Sequence, residues 1–338
     1  MNDKCTTTAT SASGTRKTGA SLARTLEDCP LTVALTGDLG SGKTTFLQGF
    51  AQALGVREPL VSPTYALEQR YASLRGPFLH LDLYRLSDVQ AQELLRGSDD
   101  CTGIRCIEWS ERISIERLIC SGPVIHIHIE DVGREKRMMH CDFLDAPLPT
   151  DEQIVQWRKD VMLPPHIIDH CDAVAALCDD FADALLRSGR IVRPLALQSA
   201  AQVHDLLRFL DFRTGGHPEN DHTPEMHTTW DAFRSRYLGL HHEQACAEFL
   251  RERGYSVIAA MVSVHGLIHP PGPGATIEQQ ILFYADKRVL LDRVVTLEER
   301  FADFAERYGK GVVSDEAKRW YAMTRMVETE LFPDGPPV

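Results

Sequence analysis

The sequence predicts an α/β domain with a mixed sheet, followed by an all-helical domain. Three observations support this division. Within residues 31–54, an apolar run ends in a glycine-rich turn and continues into a helical pattern. Further strand-like runs alternate with helical segments up to residue 143, whereas helical periodicity dominates from about 151 to about 330. A polar, proline-rich stretch at 144–153 is the predicted linker between the two parts.

The elements of the first part follow from local patterns. The first twenty residues are rich in Ser, Thr and Ala and predict a frayed tail that leads into a helix near "TGASLARTLE". Residues 31–36 predict a buried strand and 43–54 a helix, while 76–86 and 102–110 each contain a further strand. The runs "GPVIHIHIED" and "KRMMHCDFL" alternate and are joined by "VGRE", which predicts a hairpin. Strands interleaved with helices, plus one hairpin, indicate a mixed sheet.

The second part is predicted to be helical throughout. The Gly-, Pro- and His-rich stretch at 213–230 is predicted to be a loop. Five segments carry the helical periodicity: "IIDHCDAVAALCDDFADALL", "LALQSAAQVHDLLRFL", "HHEQACAEFLRERG", "IEQQILFYADKRVLLD" and "LEERFADFAERYG".

Composition excludes several classes of protein. The chain has 338 residues, of which 43% are hydrophobic and 25% charged, as expected of a globular protein. A net charge of −12 disfavours direct binding to a nucleic-acid backbone. Nine cysteines without a Cys-x-x-Cys pair argue against a disulfide framework and favour a cytoplasmic location. No signal peptide is evident, and the longest apolar run, "YSVIAAMVSV", is too short to span a bilayer.

The glycine-rich turn predicts a nucleoside triphosphate site. Gly37 to Thr44 reads G-D-L-G-S-G-K-T, which fits G-x-x-x-x-G-K-[ST] between a strand and a helix. Glycines let backbone N–H groups surround phosphate oxygens, Lys43 reaches the outer phosphates, and the Thr44 hydroxyl can ligate Mg²⁺. Such a site also needs a carboxylate at the end of a neighbouring strand. Asp82 and Glu108, both within strand-like runs, are the candidates.

Four motifs resemble the TsaE (YjeE) family in order and spacing: "GDLGSGKTT", "SPTYAL", "HLDLYRL" and "IEWSERI", within residues 15–145. The resemblance implies a small P-loop ATPase that supports threonylcarbamoyladenosine synthesis in tRNA, with TsaB- and TsaD-type partners and only indirect tRNA contact. It implies that Lys43, Asp82 and Glu108 are catalytic, and that Thr44, Asp82 and Glu108 hold Mg²⁺. The implied ATP-binding residues are Gly37, Asp38, Leu39, Gly40, Ser41, Gly42, Lys43, Thr44, Thr45, Thr64 and Trp109. A small-molecule kinase is the alternative, disfavoured because no arginine-rich lid occurs within residues 45–145.

Histidines concentrate in the second part, where ten of the fourteen lie from His166 onward. His204 and Asp205 are adjacent and are predicted to lie mid-helix, and His170 precedes them by one predicted helix. His and Asp ligands on successive helices can meet at one face of a bundle and hold divalent ions. The other candidate ligands are His242 in "HEQACAEFL", His265 in "AAMVSVH" and Asp286 in "FYADK".

The order of these ligands resembles the HD-domain phosphohydrolase superfamily, and the predicted domain spans residues 151–330. The resemblance implies a first metal site formed by His170, His204, Asp205 and Asp286. Asp205, also a catalytic candidate, would bridge to a second ion held by His242 and His265. One or two ions of Mn, Fe, Co, Ni or Zn suit these ligands. The prediction is therefore a bifunctional protein whose second domain hydrolyses a nucleotide or other phosphoester. The alternative is a non-catalytic module that senses metal or nucleotide.

Overall fold

A computed structural model describes residues 2–27, 30–212, 223–309 and 314–338. The chain divides into two compact units. The first, called here the P-loop unit, comprises Asn2–Pro147 and Asp183–Arg193. The second, called the helical unit, comprises Leu148–Ala182 and Pro194–Val338.

The P-loop unit contains a seven-stranded mixed sheet, which confirms the predicted α/β class. Strand β2 lies at the centre, parallel to β5 and to β6, and β4 is parallel to β5. The order across the sheet is β1-β7-β6-β2-β5-β4-β3. The strands are β1 (Asp3–Ala9), β2 (Leu31–Thr36), β3 (Glu68–Ser73), β4 (Gly76–Asp82), β5 (Ile104–Glu108), β6 (Val124–Asp131) and β7 (Arg137–Phe143).

Helices cover both faces of this sheet: α1 (Ala12–Leu22), α2 (Lys43–Ala53), α3 (Asp88–Arg96) and α4 (Ile115–Cys120). Val33 and Leu35 of β2 belong to one core cluster with Phe46 and Phe50 of α2. Ala34 faces the other way, into a second cluster formed with α3 and α4. Because β2 is buried on both faces, its sequence is mostly apolar, with Thr32 and Thr36 as the exceptions, as is usual for a central parallel strand.

The prediction of a frayed N-terminal tail is wrong. Residues 3–9 form β1, which pairs antiparallel with β7, and α1 begins at Ala12 instead of near residue 18. Alternate residues of β1 are buried, but Asp3, Cys5, Thr7 and Ala9 are small or polar. A hydrophobic pattern was therefore absent, although the strand has the period of two that a half-buried strand requires.

Nine α-helices follow β7 within the described residues: α5 (Asp151–Asp160), α6 (Pro165–Arg187), α7 (Pro194–Val203), α8 (Pro224–Arg236), α9 (His242–Arg251), α10 (Ser256–Val262), α11 (Ile277–Asp286), α12 (Leu297–Gly309) and α13 (Asp315–Leu331). They form the helical unit, except that α6 from Asp183 onward belongs to the P-loop unit, and a short 3-10 helix spans Arg208–Asp211. One short hairpin, β8 (Val289–Leu290) with β9 (Arg293–Val294), corrects the all-helical prediction. No helix of the described residues is long and apolar enough to cross a membrane.

The loop predicted at 213–230 ends earlier than expected. Residues 213–222 lie outside the described residues, and α8 begins at Pro224. The Thr223 side chain accepts a hydrogen bond from the Met226 backbone N–H and caps the helix. Proline is favoured in the first turn of a helix, so Pro224 starts α8 instead of extending the loop.

Candidate functional site

The glycine-rich turn joins β2 to α2 at the carboxyl end of the central strand. Gly37, Gly40 and Gly42 all have positive φ, of 131°, 80° and 106°. A Cβ on Gly37 would lie 2.2 Å from the Ile129 carbonyl oxygen, so this position accepts only glycine. The turn ends at Lys43, which is the first residue of α2. The amino end of this helix therefore points at any phosphate bound in the turn.

Lys43 is folded back onto this turn. Its Nζ donates hydrogen bonds to the carbonyl oxygens of Gly37 (2.6 Å) and Asp38 (2.9 Å) and lies 3.8 Å from the ring centroid of Trp109. Burial lowers the pKa of the Lys43 amine, although Glu108 and Glu111 act in the opposite direction. The amine therefore lies within the loop that would surround a phosphate.

Asp82 and Glu108 end two neighbouring parallel strands. They are paired in the register of β4 with β5, and both are buried. The Thr44 hydroxyl donates to the two carboxylate oxygens of Glu108, at 2.8 and 2.9 Å. Asp82 Oδ2 accepts hydrogen bonds from the hydroxyls of Ser62 (2.8 Å) and Thr64 (2.6 Å). Predicted residues from four separate motifs thus meet at one edge of the sheet.

These residues line one cleft of about 270 Å³. Trp109 has a left-handed backbone (φ 62°), and its ring packs 4.7 Å from that of Tyr84. Of the predicted nucleotide-binding residues, Ser41 is buried and Leu39 is 76% exposed. The cleft is lined by Leu39, Gly40, Gly42, Lys43, Thr44, Thr45, Ser62, Thr64, Asp82, Tyr84, Glu108 and Trp109.

Sequence reasoning missed His80. This residue is fully buried on β4, and its Nε2 lies 2.9 Å from Glu108 Oε1. Glu108 is therefore held from two sides, by Thr44 and by His80. The available signal was the spacing in "HLD": His80 and Asp82 are two residues apart and share one face of the strand.

The helical unit brings the six predicted ligands together at helix ends. His170 is in the second turn of α6, His242 is the first residue of α9, and Asp286 is the last of α11. The prediction that His204 and Asp205 lie mid-helix is wrong, because α7 ends at Val203. A turn at this point releases both side chains from the fixed 100° spacing of helical neighbours.

Asp205 lies between two groups of histidines. Its Oδ1 is 3.0 Å from His242 Nε2 and 3.5 Å from His265 Nε2. Its Oδ2 is 4.0 Å from His204 Nε2. The ligand atoms of His170, His204 and Asp205 lie within 4.8 Å of one another, and so do those of Asp205, His242 and His265.

Asp286 completes the first of these groups. Its Oδ1 lies 3.0 Å from His170 Nε2 and 3.7 Å from His204 Nε2. Burial acts to raise the pKa of Asp286, but Lys287, His170 and His204 outweigh it and hold the pKa well below its usual value. The pKa of Asp205 is likewise held well below its usual value, against burial, by Arg208, His204 and His242. Both carboxylates are therefore charged.

Backbone carbonyls orient three of the histidines. The Nδ1 atoms of His170, His204 and His265 donate to the carbonyl oxygens of Leu291 (2.9 Å), Ala201 (2.7 Å) and Val262 (2.6 Å). In each ring, Nε2 is therefore the atom that faces the Asp205 or Asp286 carboxylate, and it would bind an ion once it has lost its proton. Among the described residues, the buried Nε2 atoms of His204 and His265 have no hydrogen-bond partner. Imidazoles oriented through the distal nitrogen are typical of metal ligands, so this donor set fits a divalent ion.

His242 is oriented by a side chain that sequence reasoning missed. Its Nδ1 lies 2.5 Å from Asp211 Oδ2, while its Nε2 faces Asp205. A carboxylate on the distal nitrogen of an imidazole is a common support for a metal-binding histidine. Asp211 follows the predicted helix by a short distance in sequence, but no local pattern connects it to His242.

Comparison with known proteins concerns the first part of the chain. A family model described as "Threonylcarbamoyl adenosine biosynthesis protein TsaE" matches residues 9–139. The tRNA threonylcarbamoyladenosine biosynthesis protein TsaE of Streptomyces coelicolor is 43% identical over 135 residues, which are 35% of this chain and 90% of that protein. The chain belongs to the TsaE family.

Two further TsaE proteins support the assignment. That of Treponema pallidum is 39% identical over 112 residues, 31% of this chain and 78% of its own length. That of a Nostoc species is 45% identical over 86 residues, 24% of this chain and 53% of its own length. The chain thus spans about half the length of some curated TsaE relatives and most of others.

Proposed function

We propose that the P-loop unit hydrolyses ATP with Mg²⁺ and supports threonylcarbamoyladenosine formation in tRNA, together with TsaB- and TsaD-type partners. The observation that carries this proposal is the convergence of Lys43, Thr44, Asp82 and Glu108 in one cleft. Membership of the TsaE family supports it. The net charge of −12 fits indirect tRNA contact through partners.

Each residue of the cleft has a distinct task in this proposal. Lys43 leaves its two carbonyl partners and meets the outer phosphates, and the backbone N–H groups of residues 37–44 surround them. Thr44, Asp82 and Glu108 would hold Mg²⁺, which neutralises charge on the phosphates when bound. Thr64, whose hydroxyl donates to Asp82, would belong to a switch-like loop near the outermost phosphate.

The acids should affect turnover more than nucleotide affinity. We expect Asp82→Asn and Glu108→Gln each to lower the rate of Mg²⁺-dependent ATP hydrolysis by roughly 100-fold, because they place metal and water as charge develops. The dissociation constant for ATP should change much less. Phosphate release and equilibrium binding measure the two effects. Glu116→Gln, an exposed acid on α4, is the control. Full activity in both variants would assign these acids a structural role only.

We further propose that the helical unit binds one or two divalent ions of Mn, Fe, Co, Ni or Zn and hydrolyses a phosphoester. The observation that favours it is the set of buried histidine Nε2 atoms directed at Asp205 and Asp286. Such ions, when bound, make water a nucleophile at neutral pH. Asp205 would bridge the two ions, and Asp211 would hold His242 in place.

Metal content tests this second function. We expect the purified full-length chain to carry roughly one or two equivalents of a first-row divalent metal, since buried imidazoles and carboxylates suit these ions. Elemental analysis gives the metal content per chain. As a control, His269→Ala, which replaces an exposed histidine, should leave the metal content unchanged. Absence of metal even after incubation with each ion would contradict the proposal. Metal without hydrolysis of any phosphoester would instead indicate a sensing module.

A further inference from the structure

A cavity of about 710 Å³ opens beside the histidine and aspartate cluster. Its volume is within the range of sites that enclose a small-molecule ligand. His170, Asp205, His242, His265 and Asp286 contribute the metal-binding part of its lining. The histidine and aspartate cluster lines only part of this cavity, so the remaining lining should contact the rest of the substrate.

About half of the remaining lining is aromatic or apolar. Phe301 and Phe304 of α12 and Trp320 of α13 contribute to it, and these three residues are called the aromatic wall. The Phe301 and Phe304 rings are perpendicular, with centroids 5.5 Å apart, and the Arg300 guanidinium lies 4.2 Å from the Phe304 centroid. Aromatic rings and guanidinium planes are surfaces on which planar heterocycles stack. A sugar phosphate has no planar heterocycle that could stack on these side chains.

The charged groups beside the cluster are mixed: Asp211, Glu243 and Glu316 are acidic, and Arg208 is the basic group best placed for one phosphate group. Arg208 lines the cavity; its Nη1 lies 3.1 Å from the ring nitrogens of His242, and its side chain is 36% exposed. A guanidinium in this position can also donate to a phosphate oxygen. Lys287, by contrast, bonds the Asp286 carboxylate and the His265 carbonyl oxygen, so it stabilises the cluster.

We propose that the substrate of the helical unit is a nucleoside monophosphate. Its phosphate would lie at the histidine and aspartate cluster beside Arg208, and its base would stack on the aromatic wall. Water attacks phosphorus, the bond between phosphorus and the nucleoside oxygen breaks, and that oxygen takes up a proton. The products are inorganic phosphate and a nucleoside. This inference rests on the proposed hydrolase function of the same site.

The test compares substrates with and without a base. The full-length chain loaded with Mn²⁺ is assayed for phosphate release from the four common nucleoside 5′-monophosphates and from ribose 5-phosphate. We expect at least one nucleotide to be preferred, and Trp320→Leu to lower that preference, as a ratio of kcat/KM values, roughly tenfold. Phe301→Leu on α12 is a second variant in case Trp320→Leu does not fold. Met326→Leu, an exposed residue of α13, is the matched control.

The outcomes separate this inference from the hydrolase function. Equal turnover of ribose 5-phosphate and nucleotides, unchanged by either aromatic variant, would overturn the inference and leave the hydrolase function standing. If no phosphoester is hydrolysed, calorimetry is used to measure the binding of each nucleoside monophosphate and of ribose 5-phosphate to the metal-loaded Lys43→Ala chain. Selective binding of a nucleoside monophosphate that weakens in Trp320→Leu would support the aromatic wall as the surface that binds the base, while the absence of hydrolysis would overturn the assignment of this nucleotide as a substrate. Equal binding of ribose 5-phosphate, or no binding, overturns the inference.

Discussion

Replacing Lys43 by alanine should abolish ATP hydrolysis by the P-loop unit while the unit stays folded. The change removes the amine that would meet the outer phosphates, and loss of one such preorganised donor costs roughly 100-fold or more in rate. Among the described residues, the amine hydrogen-bonds the loop carbonyls of Gly37 and Asp38 and lies over the Trp109 ring, and burial lowers its pKa. The fold should therefore lose little free energy of unfolding.

Two measurements check this expectation. Phosphate release from ATP with Mg²⁺ reports activity, and thermal unfolding followed by circular dichroism reports the fold. Because TsaE-type turnover depends on partner proteins in this proposal, the assay needs the sensitivity to detect slow basal hydrolysis. Lys17→Ala, an exposed lysine on α1, is the control. Hydrolysis by Lys43→Ala at the unmutated rate would refute the assignment of the P-loop.

Replacing Asp205 by alanine should strip the metal from the helical unit and remove its phosphoester hydrolysis. Asp205 is the carboxylate that both histidine groups share, so its loss affects both predicted ion sites. Metal binding to the folded state contributes to stability, and the variant should therefore unfold at a lower temperature than the metal-loaded chain. ATP turnover by the P-loop unit should remain.

Elemental analysis, a phosphoester assay and thermal unfolding with and without EDTA measure these effects. We expect EDTA to lower the Tm of the unmutated chain and to leave that of Asp205→Ala nearly unchanged. The matched control is Asp231→Ala, an exposed carboxylate on α8. Retention of full metal content by Asp205→Ala would show that the metal binds elsewhere.

Local patterns predicted much of the fold. The strand at Leu31–Thr36, the turn and the helix from Lys43 were predicted nearly to the residue, because consecutive residues specify a glycine-rich turn between apolar runs. The hairpin of β6 and β7 followed from its alternation. β1 was missed because its buried residues are small or polar, and the partner strand that buries them lies more than a hundred residues away.

The groups that could act are evident from the order of the residues: a phosphate-binding turn, two strand-end acids and a series of histidines and aspartates. Which of these groups meet, and in which orientation, depends on the folded chain. His80 reaches Glu108 because parallel pairing aligns two strands, and Asp211 reaches His242 across 31 residues. Backbone carbonyl groups of Leu291, Ala201 and Val262 fix which ring nitrogen of His170, His204 and His265 faces the carboxylates. Such contacts depend on the packing of distant segments, which a pattern of neighbouring residues does not encode.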